Sequence, residues 1–132
     1  MKKQGIINSQ LAGCLASLGH KDMFMVCDAS MTIPAGIEVV DLAVCKGVPT
    51  FEQVLDAILV ENEVEYAFLA EEMEEENPVQ YKYIQKALPQ IPRDVMPHFE
   101  LKLMVSKMKF VVRTGEYTPY SNVVLKAGYV TE

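Results

Sequence analysis

Met23-Phe24-Met25-Val26-Cys27 is an unbroken apolar run of strand length, followed at once by Asp28, Ala29 and Ser30. Such a run has no wet face, so it predicts a strand buried on both sides. Asp28 then stands at the carboxyl end of that strand. An acid there is hydrogen-bonded, paired or open to a cleft, and a structural and a functional role are equally open to it.

Upstream of this strand, Ser9 can cap a helix in which Leu11, Leu15 and Leu18 recur on one face, with Gly19 as its stop and His20 just beyond. Downstream, Ile33-Pro34-Ala35-Gly36 reads as a turn, and residues 37–44 as a second strand interrupted by Glu38 and Asp41. Thr50 and Gln53 have capping-box spacing, opening a helix through about Asn62. Residues 64–70 read as a strand, and Asn77-Pro78 starts a helix that ends before Pro89. Pro89, Pro92 and Pro97 mark an irregular connection, followed by a short helix over 99–108, a strand over 110–113, a loop over 114–121 and a last strand over 122–127. The alternation predicts an α/β fold: a single three-layer domain over residues 1–132, with a central mixed, largely parallel sheet flanked by helices.

Composition excludes several functions. A net charge of −6 without any cluster of lysines or arginines disfavours nucleic acid. No apolar run approaches the ~18 residues of a membrane span. Gln4, Asn8, Ser9 and Gln10 interrupt the N-terminal region where an export signal needs continuous apolar residues, so a cytoplasmic protein is expected. Cys14, Cys27 and Cys45 are odd in number and lie in apolar stretches, which favours buried thiols over a disulfide framework. Neither a Cys-x-x-Cys pair nor a close histidine pair occurs, so no metal site is expected. Glu71, Glu72, Glu74, Glu75 and Glu76 read as a solvated helix edge or loop, with metal binding as the alternative. The seven glycines are too dispersed for a phosphate cradle, and no nucleophile elbow is present.

What remains for chemistry near neutral pH is His20 and His98. His20 past a helix C-terminus suits proton donation, because the macrodipole favours the imidazolium; a loop histidine bonded to a backbone carbonyl is the other reading. His98, after Pro97, fits a helix start or a site residue. The polar loop 114–121 between two apolar runs resembles a site-bearing loop. At its end Tyr120 offers an aromatic face with a hydroxyl, and Asn122 a donor and an acceptor. That combination suits vicinal hydroxyls, or else a turn in which Asn122 bonds its own backbone.

Several strings together carry a family resemblance: Gly5-Ile6-Ile7-Asn8-Ser9, Leu18-Gly19-His20-Lys21-Asp22, Val26-Cys27-Asp28-Ala29, Gly47-Val48-Pro49-Thr50-Phe51, Val112-Arg113-Thr114-Gly115-Glu116 and Thr118-Pro119-Tyr120-Ser121-Asn122-Val123. In this order and at these separations the sequence resembles the family of cofactor-free sugar-ring isomerases that holds the ribose pyranases and fucose mutarotases. The resemblance implies His20 as proton donor, with Asp28, His98, Tyr120, Ser121 and Asn122 binding the sugar. It also implies no cofactor, and a homo-oligomer of pentameric rings, a decamer, with sites shared between neighbouring subunits. Thr118-Pro119-Tyr120-Ser121-Asn122 is closer to the ribose branch, so the expected activity is interconversion of the pyranose and furanose forms of D-ribose. The alternatives are a mutarotase acting on fucose or another monosaccharide, a non-catalytic sugar-binding accessory of a transporter, and a structural ring subunit. Two stretches depart from the pattern, Ser30-Met31-Thr32 beside Asp28 and Phe99-Glu100-Leu101 after His98.

Overall fold

In the computed structural model, which describes residues 1–131, the run Met23–Cys27 is strand β1. Its side chains alternate between two cores: Phe24 and Val26 enter one, Met25 and Cys27 the other, all four fully buried. Around it in chain order stand α1 (Ser9–Ala16), β2 (Glu38–Asp41), α2 (Phe51–Glu61), β3 (Val64–Ala70), α3 (Glu72–Glu76) and α4 (Pro78–Ala87). They are followed by β4 (Arg93–Met96), α5 (His98–Met104), a 3-10 turn (Val105–Lys107), β5 (Phe110–Arg113) and β6 (Val123–Ala127).

The six strands form one sheet in the order β2-β5-β1-β6-β3-β4. The pairs β1/β5, β2/β5 and β3/β4 are parallel, whereas β6 runs antiparallel to both of its neighbours, β1 and β3. The carboxyl ends of five strands therefore share one edge with the amino end of β6. The larger core joins one sheet face to α1, α2 and α4, through Leu11, Leu15, Leu55, Ile58 and Ile84 among others. Within it Phe24 stacks on Phe110, ring centroids 5.2 Å apart. The second core joins the other face to α5 and the 3-10 turn through Leu101 and Val105. Burial of each large side chain, at roughly 1.5–3 kcal/mol, holds the three layers together.

Several boundaries differ from the sequence expectation for local reasons. Asn8, not Ser9, caps α1, because its side-chain oxygen accepts the Leu11 N–H at 2.9 Å. The helix closes at Ser17, ahead of Gly19. The stretch between Pro92 and Pro97 is not irregular: Arg93–Met96 adds β4 to the sheet edge, paired in parallel with β3 from Ala67↔Arg93 to Ala70↔Met96. Prolines at the ends of an edge strand cost no ladder bond, which is why a proline-bounded strand survives there. The second strand shrinks to Glu38–Asp41, and four of the five glutamates form the short α3.

At α2 the capping box is complete: Gln53 N–H donates to Thr50 Oγ1 at 3.1 Å, and Thr50 N–H to Gln53 Oε1 at 2.9 Å. Thr50→Ala is expected to lower stability by about 1 kcal/mol, read from the denaturant midpoint, with Thr50→Ser near wild type.

Burial, aided by a hydrogen bond from Sγ to Glu38, pushes the Cys14 thiol up to about 11, and burial beside Asp28 pushes Cys27 up to about 12. Cys45 is exposed. An alkylating reagent at pH 8 should therefore add one adduct to the native protein, at Cys45, and three after denaturation, as counted by mass spectrometry. Rapid loss of the Cys27 thiol in the native state would contradict the two-sided burial of β1.

Candidate active site

Asp28 leaves the carboxyl end of β1 and Asn122 immediately precedes β6; the antiparallel register Val26↔Val123 brings the two together across 94 residues of sequence. Asn122 Oδ1 accepts the Asp28 N–H at 2.9 Å, and Asn122 Nδ2 donates to Asp28 Oδ2 at 3.2 Å. The other carboxylate oxygen accepts from the Ser30 N–H at 3.0 Å and the Ser30 hydroxyl at 2.9 Å. Both residues are buried, so the carboxylate is held rigidly, and Oδ2, with a single protein donor, keeps acceptor capacity for a hydroxyl.

His98 reaches the same edge because it follows β4 and opens α5, with its backbone N–H on the Glu72 carboxylate at 2.9 and 3.2 Å. Its ring meets Tyr120 edge to face, with centroids 5.1 Å apart and planes at 80°. Tyr120 has a left-handed backbone, φ +58°. His98 Nδ1 is buried without a hydrogen-bond partner, an open polar position beside an aromatic ring. Ser121 lies fully buried beneath them, its hydroxyl near Asn77, Gln80 and Thr118.

His20 lies elsewhere. It precedes β1 while Asp28 follows it, so the length of the strand, about 16 Å at ~3.3 Å per residue, separates them. Within one chain Asp28 does not orient His20. The turn that carries His20 is closed by Asp22, whose Oδ2 accepts the Gly19 N–H at 2.7 Å and lies 3.0 Å from Lys109 Nζ. The Gly19 bond and then Lys109 hold the Asp22 carboxyl below its ordinary range. Lys21, at φ +75°, completes the turn and bonds the Ala127 carbonyl at 2.9 Å. With α1 ending at Ala16, the charge facing the imidazole is the Glu65 carboxylate, not the helix end: His20 Nε2 stands 2.7 Å from Glu65 Oε1. That approach is not an aligned hydrogen bond, since Glu65 Oε1 has no bonding partner. The Tyr129 ring closes the other side, 4.9 Å from the imidazole.

Over residues 1–130 the chain matches the RbsD / FucU transport protein family. It belongs to that family. Relatives named D-ribose pyranase include one from Limosilactobacillus reuteri, 46% identical over 97% of this chain and 98% of its own. A D-ribose pyranase 1 from Rubrobacter xylanophilus is 52% identical over the same shares. The structure of Bacillus subtilis RbsD complexed with D-ribose covers 99% of this chain and 100% of its own with a TM-score of 0.95 at 37% identity. A fucose mutarotase from Streptococcus pneumoniae, in complex with L-fucose, covers 95% of both chains with a TM-score of 0.80 at 20% identity, a likeness of fold.

In this member of the RbsD / FucU family, the residues that sequence reasoning missed are those that hold the others. Glu65 faces His20, Glu72 anchors His98, and Asn77 with Gln80 brackets Ser121. The only signal for Glu65 was a charge inside an otherwise apolar strand, and for Glu72 its place in an acidic run. Among the described residues no three His, Cys, Asp or Glu side chains gather into a metal-holding group, and no helix is long and apolar enough to cross a membrane.

Proposed function

We propose that this chain is a D-ribose pyranase, an isomerase that interconverts the pyranose and furanose forms of D-ribose. The observation that carries the reading is the likeness over 97% of the chain to proteins of that name, at up to 52% identity. The match to the ribose-complexed RbsD structure at a TM-score of 0.95 supports ribose over fucose, for which the likeness extends to fold alone.

The chemistry fits a site of acids, amides and hydroxyls. Opening the six-membered ring moves one proton onto the ring oxygen as its bond to the anomeric carbon breaks, and takes one proton from the anomeric hydroxyl. Reclosure adds a different hydroxyl to the resulting aldehyde, with both proton movements reversed. No electron or group leaves the sugar. In this reading His20 is the donor, its Nε2 standing 2.7 Å from Glu65 Oε1. Asp28, through its open Oδ2, and His98, through its unpartnered Nδ1, bind sugar hydroxyls, and Tyr120 supplies a face for the ring. Ser121 and Asn122 serve the sugar from beneath, since both side chains are fully buried and bonded within the chain. Positioned acid–base catalysis is worth about 10²- to 10⁴-fold.

A site divided between the two edges of one sheet requires two chains. The reading therefore includes a homo-oligomer, a decamer of two pentameric rings in a cytoplasmic setting, in which His20 of one subunit faces Asp28 and Tyr120 of a neighbour. What supports the shared site is the separation of His20 from Asp28 along β1. Saturation-transfer NMR on D-ribose tests the activity: faster pyranose–furanose exchange with this protein carries it, and an unchanged rate defeats it.

A further inference from the structure

Tyr120 is held in its left-handed backbone by bonds on both flanks. Asn77 Nδ2 donates to the Pro119 carbonyl at 2.8 Å, and on the other side Ser121 Oγ lies 3.2 Å from Asn77 Nδ2, 3.2 Å from Gln80 Nε2 and 2.8 Å from Thr118 Oγ1. Thr118 Oγ1 lies in turn 2.7 Å from Glu116 Oε2, while Glu116 Oε1 accepts the Phe51 N–H at the start of α2 at 3.0 Å.

The direction of these bonds follows from counting protons. A carboxylate only accepts, so the Thr118 hydroxyl donates to Glu116. Having one proton, Thr118 then accepts from Ser121, so the Ser121 hydroxyl donates to Thr118. Ser121 Oγ is left with two acceptor positions, which Asn77 Nδ2 and Gln80 Nε2 fill. Asn77 is fixed independently, because its Oδ1 accepts the Gln80 N–H at 3.3 Å. Gln80 must present its nitrogen to Ser121, which explains why its Oε1 is buried without a partner. The orphaned acceptor is the mark of a chain whose polarity is set at Glu116.

We propose that Glu116, Thr118 and Gln80 are positioning residues, a one-way hydrogen-bond chain that locks Ser121 and so turns the Tyr120 ring toward His98 and the sugar. A left-handed non-glycine residue persists only where its surroundings over-determine it. Glu116, tied to the start of α2 through the Phe51 N–H, supplies that on one side, and Gln80 supplies it from α4. The proposal rests on the pyranase reading for what the ring then binds.

Thr118→Val removes the hydroxyl at nearly constant shape and cuts the chain in the middle. The expected result is a KM for ribose raised roughly fivefold with kcat nearly unchanged, and restoration in Thr118→Ser. A second readout needs no activity. The two histidines give two resolved ring C2–H proton signals, assigned with a His20→Asn variant, and the Tyr120 ring lies close enough to His98 to shift its signal. That signal should move in Thr118→Val and return in Thr118→Ser. Gln80→Glu, an isosteric change that puts an acceptor where a donor is required, should reproduce both effects in a chain whose shape is unchanged.

An unshifted His98 signal with unchanged KM in both Thr118→Val and Gln80→Glu would overturn the proposal, as would a loss of thermal stability alone. If the wild-type protein speeds no ribose exchange, the pyranase reading fails while the His98 signal still decides the positioning role.

Discussion

His20→Ala is expected to slow pyranose–furanose exchange by about 10²- to 10⁴-fold, the usual worth of a positioned proton donor, with the fold intact. The side chain is 41% exposed, and its close contacts are Glu65 and Tyr129. Substitutions at such positions usually shift stability by no more than about 0.5 kcal/mol, so circular dichroism and the melting temperature should stay near wild type. Unaltered exchange in a folded His20→Ala protein removes His20 from the mechanism. The same variant tests the division of the site. Mixed by refolding with Asp28→Asn in equal amounts, each variant lacks what the other retains. If His20 and Asp28 of one site come from different chains, about a quarter of the sites in random hybrids regain both residues. Two inactive preparations should then yield an active mixture. No recovery in hybrids of verified mixed composition contradicts the shared site.

Asn122→Asp is the change expected to cost most stability, and with a definite pH dependence. In the native protein the Asn122 amide donates to Asp28 Oδ2 at 3.2 Å while its oxygen accepts the Asp28 N–H, and both residues are buried. The substitution sets two carboxyls face to face in a buried place, where both cannot ionise together. A protonated carboxyl can replace the lost amide donor, so the introduced group has a folded pKa raised above its unfolded value. Its contribution is retained below the unfolded value and lost as pH rises through the folded one. The variant should be near wild type at about pH 4 and about 3 kcal/mol less stable at pH 8, the scale of an uncompensated buried charge. Asn122→Ala should instead lose about 2 kcal/mol with a weaker dependence on pH, because it removes the partners of the Asp28 N–H and of Oδ2 while Ser30 still bonds Oδ1 and no second carboxyl is introduced. Parallel urea curves at several pH values separate the two, and a flat profile for Asn122→Asp would show that the Asp28 pair is not buried as described.

Most of the layering was legible in the chain because five-residue apolar runs and capping signals are local. β1, β3, β5 and the start of α2 fall where hydrophobic pattern and capping chemistry put them. β4 was not legible, since four residues bounded by prolines and holding Arg93 and Asp94 lack an apolar pattern until β3 pairs with them. The Asn8 cap was missed because Asn8 and Ser9 are adjacent and both suit the position; only the reach of the side chain to Leu11 decides. At the site, the residue types were readable and their grouping was not. Asp28 and Asn122 meet through strand register, and Glu65 meets His20 across the sheet edge, neither of which leaves a trace in spacing. One global fact did lie in the order of residues: His20 before the strand and Asp28 after it already puts them at opposite ends.

β6 is the antiparallel strand that joins β1 to β3. It is also the last strand to be synthesised. Until Val123–Ala127 emerge, β2-β5-β1 and β3-β4 are two half-sheets, each with an open edge. No shorter nascent chain can assemble the central sheet, and each intermediate length exposes edges prone to pair with other chains. Folding to the sheet and completion of the Asp28 and Asn122 pair therefore become one event, timed by the emergence of Val123–Ala127. A chain truncated before Val123 should be both unable to hold a sugar and prone to aggregate, so incomplete translation products would identify themselves to quality control.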